Sequence, residues 1–223
     1  MNALELTGRS RTHIIQIENP IFAVHPEVVE PFFAMVQAAE KAGILMAPFS
    51  SFRDFKTQLR IWNKKFSGEK PLYDLHGFPR NYSVLSESEI IDAILNWSAL
   101  PGASRHHWGT EIDVIDLGTI PQDYQVQLLP QEVEPGGVFY QLHCWLNENM
   151  ERFGFFRPYR EYRGGMYPEP WHLSYAAVSI PALESLSLEL LESTIQASNI
   201  KGKELVLERL PEIYQHHVLN ITC

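Results

Sequence analysis

The sequence of 223 residues predicts a protein of the α+β class. Three observations carry that prediction: amphipathic helical patterns interspersed with short apolar runs, an order of elements with no regular alternation of strand and helix, and Pro and Gly punctuation between them.

Taken in chain order, Val28, Val29, Phe32, Phe33, Met35, Val36 and Ala39 recur at helical spacing from Pro26 to Ala42, and Gly43 is placed to end that helix. Ile44 to Phe49 reads as a buried strand. Ser50-Ser51-Phe52-Arg53 follows, then a helical pattern through Phe55, Leu59, Ile61 and Trp62, so Arg53 falls where strand gives way to helix. A third helix runs from about Ser86 to Trp97, with Ser86 as N-cap and Glu89 completing a capping box, and Pro101-Gly102 closes the unit. Glu111 to Leu117 is the next strand, and Val138 to Phe153 a helix carrying Leu142, Trp145, Leu146 and Met150. Gly164-Gly165, Pro168 and Pro170 mark a turn-rich approach to a short apolar segment, Trp171 to Val178. Helices from about Pro181 to Ala197 and from Glu204 to His216 complete the pattern. With no internal repeat, one domain over residues 1–223 is expected, its motif-bearing core at about 26–178 and its C-terminal helices at 181–217.

Composition narrows the function. The chain is 45% hydrophobic, enough for a sizeable core, and its formal net charge is -9 with no run of Lys or Arg. A nucleic-acid partner is thereby excluded, since nothing neutralises a phosphate backbone. Cys144 and Cys223 are too few for a disulfide framework or a multi-Cys metal site. No stretch approaches the roughly 18 apolar residues of a membrane span. The segment Met1 to Arg9 lacks the basic start and apolar stretch of a secretory signal, so a cytoplasmic protein is expected, although a trimmed secreted form would read the same.

Nine histidines stand out. Two short segments concentrate the metal-capable residues: Ser104-Arg105-His106-His107-Trp108-Gly109-Thr110-Glu111-Ile112-Asp113 and Glu169-Pro170-Trp171-His172. Their three His, one Asp and two Glu could supply two His and one Asp as ligands and one spare Glu. That is the inventory of a catalytic zinc site, with three protein ligands, one position left for water and a carboxylate to act as base. Imidazole and carboxylate donors favour Zn²⁺ over Mg²⁺, which prefers oxygen alone. On spacing alone a plainer alternative stays open, a His pair on a loop and a Trp-His on a strand.

These residues also resemble a known signature. Ser104-x-His106-x-x-Gly109-x-x-x-Asp113 followed by Glu169-x-Trp171-His172 is similar to the motif of the D-alanyl-D-alanine carboxypeptidase and dipeptidase family of zinc peptidases, which includes the vancomycin-resistance enzymes. Ser51-Phe52-Arg53-x-Phe55-x-x-Gln58 resembles the Arg-aromatic-Gln segment upstream of the zinc motif in the family's carboxypeptidases. The three blocks occur in the family's order across Ser51 to His172. The resemblance implies a small antiparallel sheet flanked by helices, a fold shared with lysostaphin-type endopeptidases and the hedgehog signalling domain.

It further implies that one zinc ion is held by His106, Asp113 and His172, with Glu169 as catalytic base. Arg53 would bind the C-terminal carboxylate of a peptide through its guanidinium fork, with Gln58 and Ser104 sharing in substrate binding and Trp171 packing to orient Glu169 and His172. The implied reaction is removal of a C-terminal D-amino acid, D-Ala, from peptidoglycan-type peptides that carry a free carboxylate. A D,D-dipeptidase, an L,D-carboxypeptidase and a cell-wall endopeptidase are the alternatives within the fold. A non-catalytic zinc-bearing interaction domain is the alternative from another class, and Glu169 argues against it. Thr110-Glu111 departs from the pattern, standing where the family usually has a small or apolar pair; Glu111 either tunes the site or faces solvent.

Several residues compete with this assignment. His107 is the rival of His106, but the spacing to Gly109 and Asp113 favours His106; Asp116 is the rival of Asp113. Regular strand geometry would point Glu169 and His172 to opposite faces, so the backbone is expected to deviate at Pro170. Arg53 has a structural alternative, an ion pair near a helix N-terminus. His143 reads as a core or boundary residue, His216-His217 as a solvated tail because neighbours do not share a helix face, and His13, His25 and His76 have no partner pattern. Trp62, Trp97 and Trp145 read as core.

Overall fold

The computed structural model describes residues 1–222; Cys223 lies outside them, and Cys144 is half-buried. Helix α1 (Ala3–Leu6), capped by Asn2 and Glu5, leads into a hairpin of β1 (Ile15–Glu18) and β2 (Ile21–Val24) that the sequence pattern did not announce. Helix α2 (Pro26–Lys41) starts at a proline, whose fixed φ suits the first helical position, with the His25 side chain accepting from the Glu27 N–H. Strand β3 (Met46–Ser50) and helix α3 (Phe55–Phe66) flank the Arg53 segment, and Asp54 caps α3 by accepting from the Thr57 N–H. The capping box of Ser86 and Glu89 opens α4 (Glu87–Leu95) as expected.

A single 3-10 turn, Arg105–Trp108, ends on Gly109 and releases β4 (Glu111–Asp116). Helix α5 (Tyr140–Asn149) is shorter than its apolar pattern, which continues as the 3-10 turn Met150–Phe153 before β5 (Phe155–Phe156). Strand β6 (His172–Tyr175) passes directly into α6 (Ala176–Ser185), so the expected apolar segment Trp171 to Val178 divides between strand and helix and Pro181 lies inside the helix rather than at its start. Helices α7 (Leu188–Gln196), α8 (Lys203–Glu208) and α9 (Leu210–Ile213) and a π-helical turn, Tyr214–Val218, follow.

The sheet that matters has the order β3-β4-β6-β5, antiparallel throughout. Along β4 the side chains alternate, as strand geometry demands. Ile112 and Val114, with Leu173 of β6, face a core built from α2, α5 and the hairpin, where Phe32, Met35, Leu142 and Leu146 are fully buried. Glu111 and Asp113 point the other way. The cross-strand register pairs Asp113 with His172 and Glu111 with Ser174, so four polar side chains share one face. A second core, formed by α4, α6, α7, α8 and α9 around Trp62, Trp108, Ile91 and Leu191, packs beyond that face. The result is an α+β fold, with small antiparallel sheets flanked by helices. No helix is long and apolar enough to cross a membrane among the described residues.

Candidate active site

A cavity of about 320 Å³ opens over the polar face of the sheet, lined by His106, Asp113, Glu169 and His172 among others. The ligand atoms of His106, Asp113 and His172 lie within 4.8 Å of one another. Each arrives from a different element: His106 from the 3-10 turn, Asp113 from β4 and His172 from the first position of β6. Gly109 makes the approach possible, because its φ of +69° turns the chain from the 3-10 turn into β4.

Hydrogen bonds fix the histidine rings. Nδ1 of His106 donates to the Ser51 carbonyl at 2.7 Å, which leaves Nε2 as a bare lone pair 3.5 Å from Oδ2 of Asp113. His172 is held at both ends, Nδ1 at 3.1 Å from Asp113 Oδ1 and Nε2 at 2.8 Å from Glu111 Oε2. Burial by itself would lower the pKa of His172, but these two carboxylates outweigh it and raise it to about 10. His106 falls the other way, to about 3, because burial dominates and Arg53 and His172 add positive charge nearby. Two imidazoles and a carboxylate converging in this way fit a tetrahedral zinc ion with one position left over.

Glu111 is fully buried, which removes the solvent-facing alternative. Its Oε1 accepts from Ser174 Oγ at 2.8 Å and Thr110 Oγ1 at 2.9 Å, and pairs with Arg105 Nη2 at 3.3 Å. Burial pushes its pKa up, but the Arg105 charge and the His172 hydrogen bond prevail and hold it at about 2. The guanidinium of Arg105 in turn lies 4.8 Å from the ring centre of Trp108.

Glu169 reaches the cavity through a tight turn. The His172 N–H donates to the Glu169 carbonyl at 3.1 Å, with Pro170 at the second position of that turn, where its fixed φ is favoured. The turn places the Glu169 carboxylate 3.5 Å from His172 Nδ1. Arg157 buttresses it, donating from Nε to the Pro170 carbonyl at 2.6 Å. Burial raises the Glu169 carboxyl to about 7, with the Asp113 charge adding to the shift and His172, Lys65 and Arg53 opposing it. A carboxyl near 7 is suited to taking and returning protons at neutral pH.

Arg53 and Ser104 also line the cavity. Arg53 donates from Nη1 to Gln58 Oε1 at 2.8 Å and from Nη2 to Ser50 Oγ at 3.2 Å, and it makes no ion pair among the described residues. Burial lowers its pKa, while Asp113 and Glu169 resist that. Gln58 does not line the cavity; it is buried between Arg53 and the Ala99 carbonyl, to which it donates at 2.7 Å.

The rivals point elsewhere. His107 donates from Nδ1 to the Arg53 carbonyl at 2.6 Å and accepts at Nε2 from the Gly102 N–H, so both ring nitrogens are committed outside the cluster. Asp116 ties down backbone, accepting from the Leu45 and Gly118 N–H groups. Trp97, expected in the core, is half-buried and lines the cavity, stacked on Trp171 with ring centres 6.2 Å apart. Lys65 and Tyr159 line it as well, and no motif singled them out. His216 is exposed, but His217 is half-buried and burial lowers it to about 4, so the pair is not simply a solvated tail.

Residues 22–178 match the VanY family model, whose description is D-alanyl-D-alanine carboxypeptidase. The chain belongs to this carboxypeptidase family. The matched span contains the Arg53 segment and every residue of the cluster. A 26% identical relative, a D-alanyl-D-alanine carboxypeptidase of Enterococcus faecalis, aligns over 65% of this chain and 45% of its own length. An uncharacterized protein of Haemophilus influenzae is 34% identical over 54% of this chain and 93% of its own. Two VanY structures share the fold at 22% identity: VanYB in complex with D-alanine-D-alanine, with a TM-score of 0.53 over 83% of this chain and 89% of that one, and a mutant vancomycin-resistance D,D-pentapeptidase VanY in complex with Zn(II), with a TM-score of 0.52 over 82% and 92%.

Proposed function

We propose that this VanY-family chain is a zinc-dependent carboxypeptidase that removes the C-terminal D-amino acid from peptidoglycan-type peptides. The observation that carries the reading is the convergence of His106, Asp113 and His172 beside Glu169 in one cavity. The Zn(II) complex and the D-alanine-D-alanine complex of VanY structures with the same fold support it.

In this reading His106 Nε2, an Asp113 carboxylate oxygen and His172 Nδ1 hold one zinc ion. When bound, the ion supplies Lewis-acid polarisation of the scissile carbonyl and makes water more acidic. Glu169 takes a proton from the attacking water and returns it to the departing amine, a relay suited to its raised pKa. Arg53 receives the C-terminal carboxylate, which selects exopeptidase cleavage. Gln58 acts through Arg53 as a positioning residue, since its Oε1 fixes the guanidinium plane. Ser104 offers a hydroxyl to the bound peptide from the cavity wall.

The test combines metal analysis with products. Purified protein should carry about one zinc per chain, and release of free D-Ala should follow incubation with a muramyl pentapeptide. Parallel assays with D-Ala-D-Ala dipeptide and with tetrapeptide separate dipeptidase and L,D-carboxypeptidase action. Glu169→Ala should retain zinc and lose turnover by roughly 10²–10⁴-fold; turnover at the wild-type rate removes Glu169 from the mechanism.

A further inference from the structure

The cavity carries more positive charge than one C-terminal carboxylate requires. Arg53, Lys65 and Lys70 all line it, in a chain of formal net charge -9. The carboxylates that line it among the described residues are Asp113, which belongs to the ligand cluster, and Glu169. Arg105 also reaches the wall but is neutralised by Glu111. Neither lysine is so matched: among the described residues no ion pair involves Lys65 or Lys70.

Position along α3 gives the lysines a direction. Gln58, which holds Arg53, and Lys65 lie seven residues apart, two helical turns on one face and about 10 Å along the axis. Lys70 lies five residues beyond Lys65, past the end of α3. Burial pushes the Lys65 ammonium down to about 8 and Glu169 opposes that shift, so its charge is felt at the reacting centre. Lys65 is half-buried and makes no direct ion pair, whereas Lys70 is exposed. A cation held in a concave, partly desolvated wall with only a distant carboxylate is costly, and an arriving anion relieves that cost.

We propose that Lys65 and Lys70 form a second anion subsite, which binds a carboxylate carried by one of the residues preceding the scissile bond. The favoured substrates are therefore acidic peptides with two carboxylates, one at the C-terminus on Arg53 and one upstream on the lysines. This rests on the peptidase reading of the cavity. Lysine suits the task, because its flexible ammonium accepts an anion over a range of positions, whereas the fixed fork of Arg53 demands one geometry.

The experiment compares two peptides that differ in one group, a side-chain carboxylate or the matching carboxamide just upstream of the scissile bond, on zinc-loaded full-length protein. The acid peptide should show a KM about tenfold lower, with little difference in kcat. In Lys65→Gln/Lys70→Gln the ratio of the two KM values should collapse towards one, and Lys65→Arg/Lys70→Arg should restore it. A ratio near one in the wild type overturns the proposal. So does a double variant that keeps the wild-type ratio while kcat falls equally for both peptides, since Lys65 would then act on Glu169 alone. Calorimetric binding of the two peptides to the Glu169→Ala protein gives the same comparison without turnover. Tighter binding of the acid peptide supports the subsite even if the wild type cleaves neither, and equal binding removes it.

Discussion

His172 donates from Nε2 to Glu111 across the ladder of β4 and β6 at 2.8 Å, on the ring edge opposite the one that faces Asp113. The relationship follows from register. Asp113 is the direct partner of His172, so Glu111, two residues earlier on the same face, is its diagonal neighbour. A carboxylate on the far nitrogen fixes the tautomer and orientation of a ligand histidine and raises its basicity. Glu111→Ala should weaken zinc affinity by about 10–100-fold, measured by competition with a chromophoric chelator. It also strands the buried Arg105 charge, so lower stability accompanies it. Glu111→Gln separates the two effects: its carbonyl still accepts from His172, and the affinity loss should be smaller than for Ala. Equal zinc affinity in all three proteins would show that the hydrogen bond serves folding alone.

Arg53 and Gln58 should behave as one unit of unequal members. Arg53→Ala removes the charge-assisted fork and should raise KM for peptides with a free C-terminus by about 10–100-fold, while amidated peptides change little. Gln58→Ala leaves the charge but loosens the guanidinium, and a KM increase of about fivefold is expected. Gln58→Glu should be worse than Gln58→Ala, because a carboxylate at that position would occupy Arg53 itself. Steady-state kinetics on paired free and amidated peptides check the order, and equal effects on both would make Arg53 structural.

Gly109 carries the metal loop. A Cβ there would sit 2.3 Å from Ile14 Cδ1 and 2.7 Å from the His25 backbone nitrogen, and the left-handed φ disfavours any L side chain. Gly109→Ala should therefore lower the unfolding free energy by about 2–4 kcal/mol, the sum of backbone strain and overpacking. Urea denaturation of the variant measures it directly; a loss below about 1 kcal/mol would mean that the hairpin moves aside at little cost.

What the sequence made legible were elements with local signals. Helix α2 has a long apolar stripe and Pro26 at its start; α3 and α4 have Asp54 and Ser86 as caps. The start of helix α6 carries no local signal: its N-cap is Tyr175, whose side chain makes no capping bond, so nothing in the sequence separates strand from helix there. The hairpin of β1 and β2 is only four residues a side, too short for periodicity to declare it. At the site, spacing and resemblance singled out the residues that the cavity brings together, but partners across the sheet depend on register, which one strand alone does not encode. Glu111 shows this: its buried role exists because β6 lies beside β4. Trp97 shows the converse, an apolar periodic residue that ends at a cavity wall because Trp171 stacks on it.

Acid should destabilise the fold through a histidine that is not itself in the ligand cluster. His143 on α5 is buried, and burial with the neighbouring Arg157 charge lowers its pKa to about 3 from the ordinary 6.5; Arg157 Nη2 lies 3.2 Å from its Nδ1 and donates to the neutral ring. The unfolded chain binds a proton there below about pH 6.5, while the folded chain stays neutral down to about 3. Stability from this group is therefore full above pH 6.5 and declines as pH falls through that window. At pH 5 the loss from His143 is on the order of 2 kcal/mol. Because the same Arg157 buttresses the Pro170 turn, acid should also loosen the segment that carries Glu169. The measurement is the difference in unfolding free energy between pH 7 and pH 5, by urea titration, for wild type and His143→Gln. Gln keeps an acceptor for Arg157 but does not titrate, so its difference should be smaller by about 2 kcal/mol; identical differences would mean that His143 is already protonated, or reached by water, in the folded protein.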